Sequence, residues 1–91
     1  MALVLLRAPL SELAGVEVRL KCENLQRAGA FKIRGAYYRI LNLTSKERAC
    51  GTVSYSSGNH ALGLARAAQL LGSSAVIVMP SDVPTAQMNA T

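Results

Sequence analysis

The residues best suited to do chemistry in this chain are one lysine and one short polar loop. Lys32 stands in Ala30-Phe31-Lys32-Ile33-Arg34-Gly35, behind an aromatic residue and at the start of an expected helix. Its amine can form a Schiff base if it is neutral and held on a positioned stem. Phe31 beside it offers an apolar wall for a ring. Further along, Ser56-Ser57-Gly58-Asn59-His60 places hydroxyls, an amide and an imidazole at the expected opening of a second helix. Unpaired N–H groups at a helix start attract carboxylate or phosphate, and Gly58 lets the backbone turn sharply or approach a ligand closely.

Each feature has a plainer reading by itself. A lysine at a helix end is ordinarily a solvated charge, and serine or asparagine caps helices of every kind. The combination of an amine with an anion-holding loop suggests pyridoxal phosphate chemistry. The other familiar centres are missing: no G-x-S-x-G, Walker loop or G-x-G-x-x-G occurs. With one histidine and no C-x-x-C, a metal site is not expected. Cys22 and Cys50 read as reduced, mostly buried thiols of a cytoplasmic protein. Glu12, Glu17, Glu47 and Asp82 read as surface charges, while Glu23 and Asn24 are expected to help hold the loop before Lys32.

The chain has 91 residues and a net charge of +5, which allows one small domain and favours anionic ligands. Its basic residues are dispersed rather than striped with aromatics, so nucleic acid is not an expected partner. At 51% hydrophobic and 16% charged, the composition argues against disorder. It also suits a piece of a larger body. The apolar opening, Met1 to Leu6, is short and interrupted by Arg7; it is neither signal peptide nor membrane span, and a frayed or truncated terminus is expected there.

The elements that must position Lys32 and the loop follow from periodicity. Val16 to Glu23 alternates apolar and polar residues, predicting a half-exposed strand. Asn24 to Gly29 reads as a loop. From Phe31 to Leu43, Ile33, Ala36, Tyr37, Ile40 and Leu41 recur at helical intervals. Ser45 is the expected cap of a short helix. Thr52 to Ser56 is a short strand, and Asn59 is the expected cap of a helix carrying Ala61, Leu64, Ala65, Ala68 and Leu71 and stopping at Gly72. Ser74 to Met79 is nearly all apolar, as for a strand buried on both faces, and Pro84 suits the first turn of a last helix. This order predicts an α/β fold: a three-layer αβα fragment with parallel strands, whose ligands bind beyond the carboxyl ends of the strands.

Leu20-Lys21-Cys22-Glu23-Asn24-Leu25-Gln26-Arg27-Ala28-Gly29-Ala30-Phe31-Lys32-Ile33-Arg34-Gly35-Ala36 closely resembles the lysine segment of the threonine dehydratase and serine racemase family. These are fold-type II pyridoxal-phosphate enzymes related to the tryptophan synthase β subunit. Ser56 to Ala61 with Gly63-Leu64-Ala65 resembles the family's second motif, and Ala75 to Pro80 the strand and proline after it. The resemblance runs from about Pro9 to Thr91. It departs from many relatives at Leu62 and Gln87, where they carry glutamine and lysine.

The resemblance implies roles residue by residue. Lys32 would carry the cofactor, pyridoxal 5'-phosphate, as a Schiff base and move the substrate's α-proton. Phe31 would line the ring pocket, and Asn59 would bond the ring's 3′-oxygen. Ser56, Ser57, Asn59 and His60 would hold the substrate carboxylate. Ser57 would face Lys32 across the ring, where racemases of the family place a second acid/base. The implied reaction is β-elimination from a small hydroxy amino acid, threonine or serine, to a 2-oxo acid and ammonia. Racemisation is the alternative, and a truncated, non-catalytic α/β product is another.

Residues 1–91 read as one partial cofactor domain, with a lysine segment at about 16–43 and a βαβ unit at about 52–91. Family members are several times longer, homo-oligomeric and cytoplasmic, with no membrane or nucleic-acid partner implied. Their glycine-rich phosphate cradle lies beyond the matching region. The isolated 91 residues are therefore expected to be inactive as a serine/threonine ammonia-lyase.

Overall fold

The computed structural model describes residues 3–6 and 8–91. Met1 and Ala2 of the apolar opening, and Arg7 after it, lie outside the described residues. Leu3–Leu6 forms strand β1, and Arg19–Cys22 forms β2. The two pair antiparallel, Leu3 opposite Cys22 and Leu6 opposite Arg19, with helix α1 (Ala8–Ala14) between them. This corrects the expectation of a frayed terminus at Leu3 to Leu6: β2 supplies ladder partners for a segment too short to show a period. The strand read from Val16 begins only at Arg19, and two 3₁₀ turns, Glu23–Leu25 and Arg27–Gly29, fill the loop after it.

Helix α2 covers Lys32–Leu41, α3 Ser45–Cys50, β3 Thr52–Tyr55, α4 Asn59–Leu70, β4 Ala75–Val78 and α5 Thr85–Ala90. Strands β3 and β4 are parallel neighbours, with Thr52 opposite Ala75 and Tyr55 opposite Val78, and α4 is the crossover between them. The α/β order with parallel strands is the one the sequence predicts. Pro84 directly precedes α5, as its fixed φ allows.

The helix ends hold two differences from expectation. Thr44, not Ser45, caps α3: its hydroxyl accepts from the Glu47 N–H, and the Glu47 carboxylate accepts from the Thr44 N–H. This reciprocal capping box satisfies donors that Ser45, already helical, cannot reach. At the end of α4, Gly72 takes φ +65° and Ser73 N–H donates to Ala68 O at 2.9 Å, the left-handed stop expected there.

The core is a seam between α2 and α4. Ala36, Ile40, Leu64, Ala67 and Ala68 are buried together, with Leu43, Leu71, Ala75 and Ile77 packed against them. Alanines on both helices let their backbones come close. Tyr37 and Leu41, expected on this face, are exposed instead. The expectation that β4 is buried on both faces is also corrected. Ala75 and Ile77 meet the helices, but Val76 and Val78 are 59% and 58% exposed, beside Val53 and Tyr55 of β3. Helices thus cover one face of the parallel pair and leave an apolar face open. The body is flat, 51 × 34 × 14 Å, and its radius of gyration of 16.6 Å exceeds the about 12 Å of a compact chain this long. In so thin a body Cys50 is exposed and Cys22 half-buried, so the two thiols are less covered than expected.

Candidate functional site

Lys32 is the first residue of α2, and Phe31 occupies the position before it. The Lys32 ammonium lies 5.2 Å from the centroid of the Phe31 ring, within cation–π range. Both side chains are exposed. The approach to them is sharply turned: Ala28 has φ +66° and Gly29 φ +67°. A left-handed alanine costs about 1–2 kcal/mol, so this strain sits just upstream of the lysine. Glu23 braces the same approach. Its Oε1 accepts from Arg34 Nη1 and Lys21 Nζ, each at 3.2 Å, tying the end of β2 to α2. Among the described residues its Oε2 is buried without a partner.

The loop between β3 and α4 is built around Ser56. Its N–H donates to Val78 O at 3.1 Å, anchoring the loop to the end of β4. Its hydroxyl oxygen accepts from Gly58 N–H at 3.2 Å and Ala61 N–H at 3.3 Å. Ser56 therefore does the capping expected of Asn59, which is itself the first helical residue and too late in the turn to cap. The Ser57 and Asn59 side chains make no hydrogen bond among the described residues. His60 Nε2 lies 3.1 Å from Ser54 Oγ.

One contact brings the two segments together. Gly63, on the second turn of α4, lies against the start of α2: a Cβ there would meet Ile33 N at 2.9 Å and the Lys32 carbonyl carbon at 3.0 Å. No side chain fits, so the first turn of α2 packs directly on the second turn of α4. Phe31, Lys32, Ser54 and His60 consequently line one open concavity of about 1370 Å³. A smaller one, about 560 Å³, is lined by Ser54, Tyr55, Ser56, Ser57, Gly58 and His60. His60 and Ser54 stand where the two meet; Asn59 lines neither. The larger rim carries Lys32, Arg34, Arg39 and Lys46 against Glu47 alone, a field that draws anions. The Glu47 carboxyl is held below its ordinary range, first by the Thr44 N–H and then by the Thr44 hydroxyl.

Sequence reasoning misses two contributors, Gly63 as a spacer and Ser54 as the partner of His60. Gly63 is signalled only by its cost, because a mid-helix glycine loses about 1 kcal/mol against alanine and calls for a packing reason. Among the described residues no cluster of three or more histidine, cysteine, aspartate or glutamate side chains could hold a metal ion. No described helix is long and apolar enough to cross a membrane.

An exposed amine beside an aromatic wall, sharing a basic concavity with the imidazole at a helix start, fits a ring carrying a carbonyl and anionic groups. Residues 4–91 match the family described as pyridoxal-phosphate dependent enzyme, and the chain belongs to that family. It is 52% identical over 82 residues to an L-threonine ammonia-lyase of Thermotoga maritima, covering 90% of this chain and 20% of the relative. It is 42% identical to a serine racemase of Dictyostelium discoideum, covering 96% of this chain and 27% of that one. The structure of the processed form of threonine deaminase isoform 2 from Solanum lycopersicum superposes with a TM-score of 0.91 at 40% identity, over 98% of this chain and 26% of that one. The chain thus spans about a fifth to a quarter of the length of these proteins, and pyridoxal phosphate is the cofactor of its family.

Proposed function

We propose that these residues form the lysine-bearing part of a serine or threonine ammonia-lyase, converting a small hydroxy amino acid to a 2-oxo acid and ammonia. The observation that carries this reading is that Lys32 and His60, the last residue of the Ser56–His60 loop, line one basic concavity, with α2 and α4 held in contact at Gly63. Residues 1–91 act as one partial cofactor domain, with its lysine segment at about 16–43 and its βαβ unit at about 52–91. The complete enzyme is a cytoplasmic homo-oligomer that binds neither nucleic acid nor membrane.

Lys32 would hold pyridoxal phosphate covalently through its amine and, once the substrate's amino group has displaced that amine, would serve as the base for the substrate's α-proton. Bound pyridoxal phosphate supplies the electron sink that makes this proton removable. Phe31 walls the ring, and Asn59 donates to its 3′-oxygen. Ser57, Asn59 and His60 hold the substrate carboxylate. Ser56 joins them with its hydroxyl proton, because its oxygen is occupied by Gly58 and Ala61. Orienting the substrate by its carboxylate fixes which α-bond faces Lys32.

A racemase reading rests on Ser57, which lines the smaller concavity and whose hydroxyl has no internal partner among the described residues. From there it would return a proton to the face opposite Lys32. Comparing Ser57→Ala for racemisation and for elimination separates the two readings.

Borohydride reduction after incubation with pyridoxal phosphate, followed by peptide mass spectrometry, tests the central assignment. The label is expected on Lys32 and lost in Lys32→Ala; label confined to other lysines refutes it. A polypeptide of these 91 residues alone is expected to release little or no 2-oxo acid. Robust turnover that disappears in Lys32→Ala would overturn that expectation.

A further inference from the structure

Ser54 has no place in the roles above, yet its hydroxyl lies 3.1 Å from His60 Nε2 at the junction of both concavities. We propose that Ser54 is a positioning residue that fixes the His60 ring in one tautomer and one orientation, with the proton on Nδ1. The inference deepens the reading of His60 as a carboxylate-holding residue and rests on it for its functional meaning.

An imidazole nitrogen that accepts a hydrogen bond cannot carry the proton, so the partner of one nitrogen decides the state of the other. Ser54 comes from β3, and His60 from the first turn of α4. The strand's alternation turns Thr52 and Ser54 toward the helix side and leaves Val53 and Tyr55 exposed on the other. The Ser54 hydroxyl thus reaches His60 from a rigid element. Its oxygen makes no other hydrogen bond among the described residues, so the contact can run either way; an imidazole nitrogen is a stronger acceptor than a hydroxyl oxygen, which favours the serine proton going to Nε2. That leaves Nδ1–H as a donor. A free histidine side chain favours the opposite form, with the proton on Nε2. Ser54 therefore reverses the default and gives the loop one more fixed donor for an anion.

Ring ¹⁵N shifts of the full chain, recorded about two pH units above the ordinary imidazole value, test the proposal without cofactor or turnover. The wild-type ring is expected as the Nδ1–H form, Ser54→Ala as mainly the Nε2–H form, and Ser54→Thr, which keeps the hydroxyl, as wild type. Titration with acetate as the carboxylate probe is expected to move the Nδ1 signal and to be about fivefold weaker in Ser54→Ala, the effect of one lost hydrogen bond. A wild-type ring protonated on Nε2, or unchanged shifts in a folded Ser54→Ala, overturns the proposal. The first of these needs no variant to fold. If the tautomer responds to Ser54 but acetate moves neither nitrogen, the positioning role stands and the carboxylate role of His60 falls.

Discussion

Gly63 touches the backbone of Ile33, and a Cβ on it would come within 2.9 Å of the Ile33 nitrogen. Backbone cannot swing aside as a side-chain tip can, so α4 and α2 must part to admit even a methyl group. Overpacking of this kind costs about 1–3 kcal/mol, against about 1 kcal/mol gained from alanine's helix propensity. Gly63→Ala is therefore expected to lower the urea midpoint and slow borohydride-trapped labelling of Lys32. Gly35, in α2, has nothing within 4 Å of a Cβ. Gly35→Ala is expected to raise stability by about 0.5–1 kcal/mol, which makes it the matched control for denaturation.

Ala28 is the one described non-glycine residue at positive φ, +66°. Ala28→Gly removes a strain of about 1–2 kcal/mol and adds about 0.5–1 kcal/mol of backbone entropy to the unfolded chain. A small net stabilisation is expected. Ala28→Val, β-branched in the same left-handed region, is expected to destabilise. Thermal midpoints of the two variants moving in the same direction would contradict the strain.

Glu47 makes α3 sensitive to acid. Its carboxyl is held below the ordinary 4.5 by the Thr44 N–H and hydroxyl. A depressed folded value means that the contribution to stability is complete above the ordinary value and lost as pH falls through the lower folded one. Below about pH 4, the amides of the first turn of α3 should exchange faster. Thr44→Ala should already exchange fast at neutral pH and show little further acid dependence. Hydrogen exchange read by NMR, with the Glu47 carboxyl ¹³C titration, checks both.

Val53, Tyr55, Val76 and Val78 form one exposed apolar face, with Tyr55 84% and Val53 76% accessible. A contiguous patch of this kind promotes association. A polypeptide of these 91 residues is expected to bind a hydrophobic dye and to self-associate. Tyr55→Thr with Val76→Thr, both good strand formers, should cut dye fluorescence about twofold, in proportion to the apolar area removed. A dye-silent, monomeric wild-type chain would contradict this.

Much of the fold is legible in the residues because its signals are local. Ile33, Ala36 and Ile40 recur at helical spacing, Gly72 stops α4, and the apolar run from Ala75 marks β4. The chemistry of Lys32 and of the Ser56–His60 loop is likewise readable, since an amine after an aromatic and polar residues at a helix start act through near neighbours. Local signals fail where a partner lies far along the chain. The β1 strand exists because Arg19–Cys22 pairs with it. Asn59 looks like a cap, but Ser56, pinned by its N–H to Val78 of β4, reaches forward to the Ala61 N–H instead.

The sequence by itself determines the element types, their βαβ order and the reactive groups, because period, propensity and side-chain chemistry belong to contiguous residues. Only the tertiary structure decides that Lys32 and His60 share one concavity, that Ser54 faces the imidazole, and that one side of β3 and β4 stays open. Each of these depends on which surfaces meet across the chain. Such meetings are governed by steric fit, as at Gly63 against Ile33, which no stretch of neighbouring residues records.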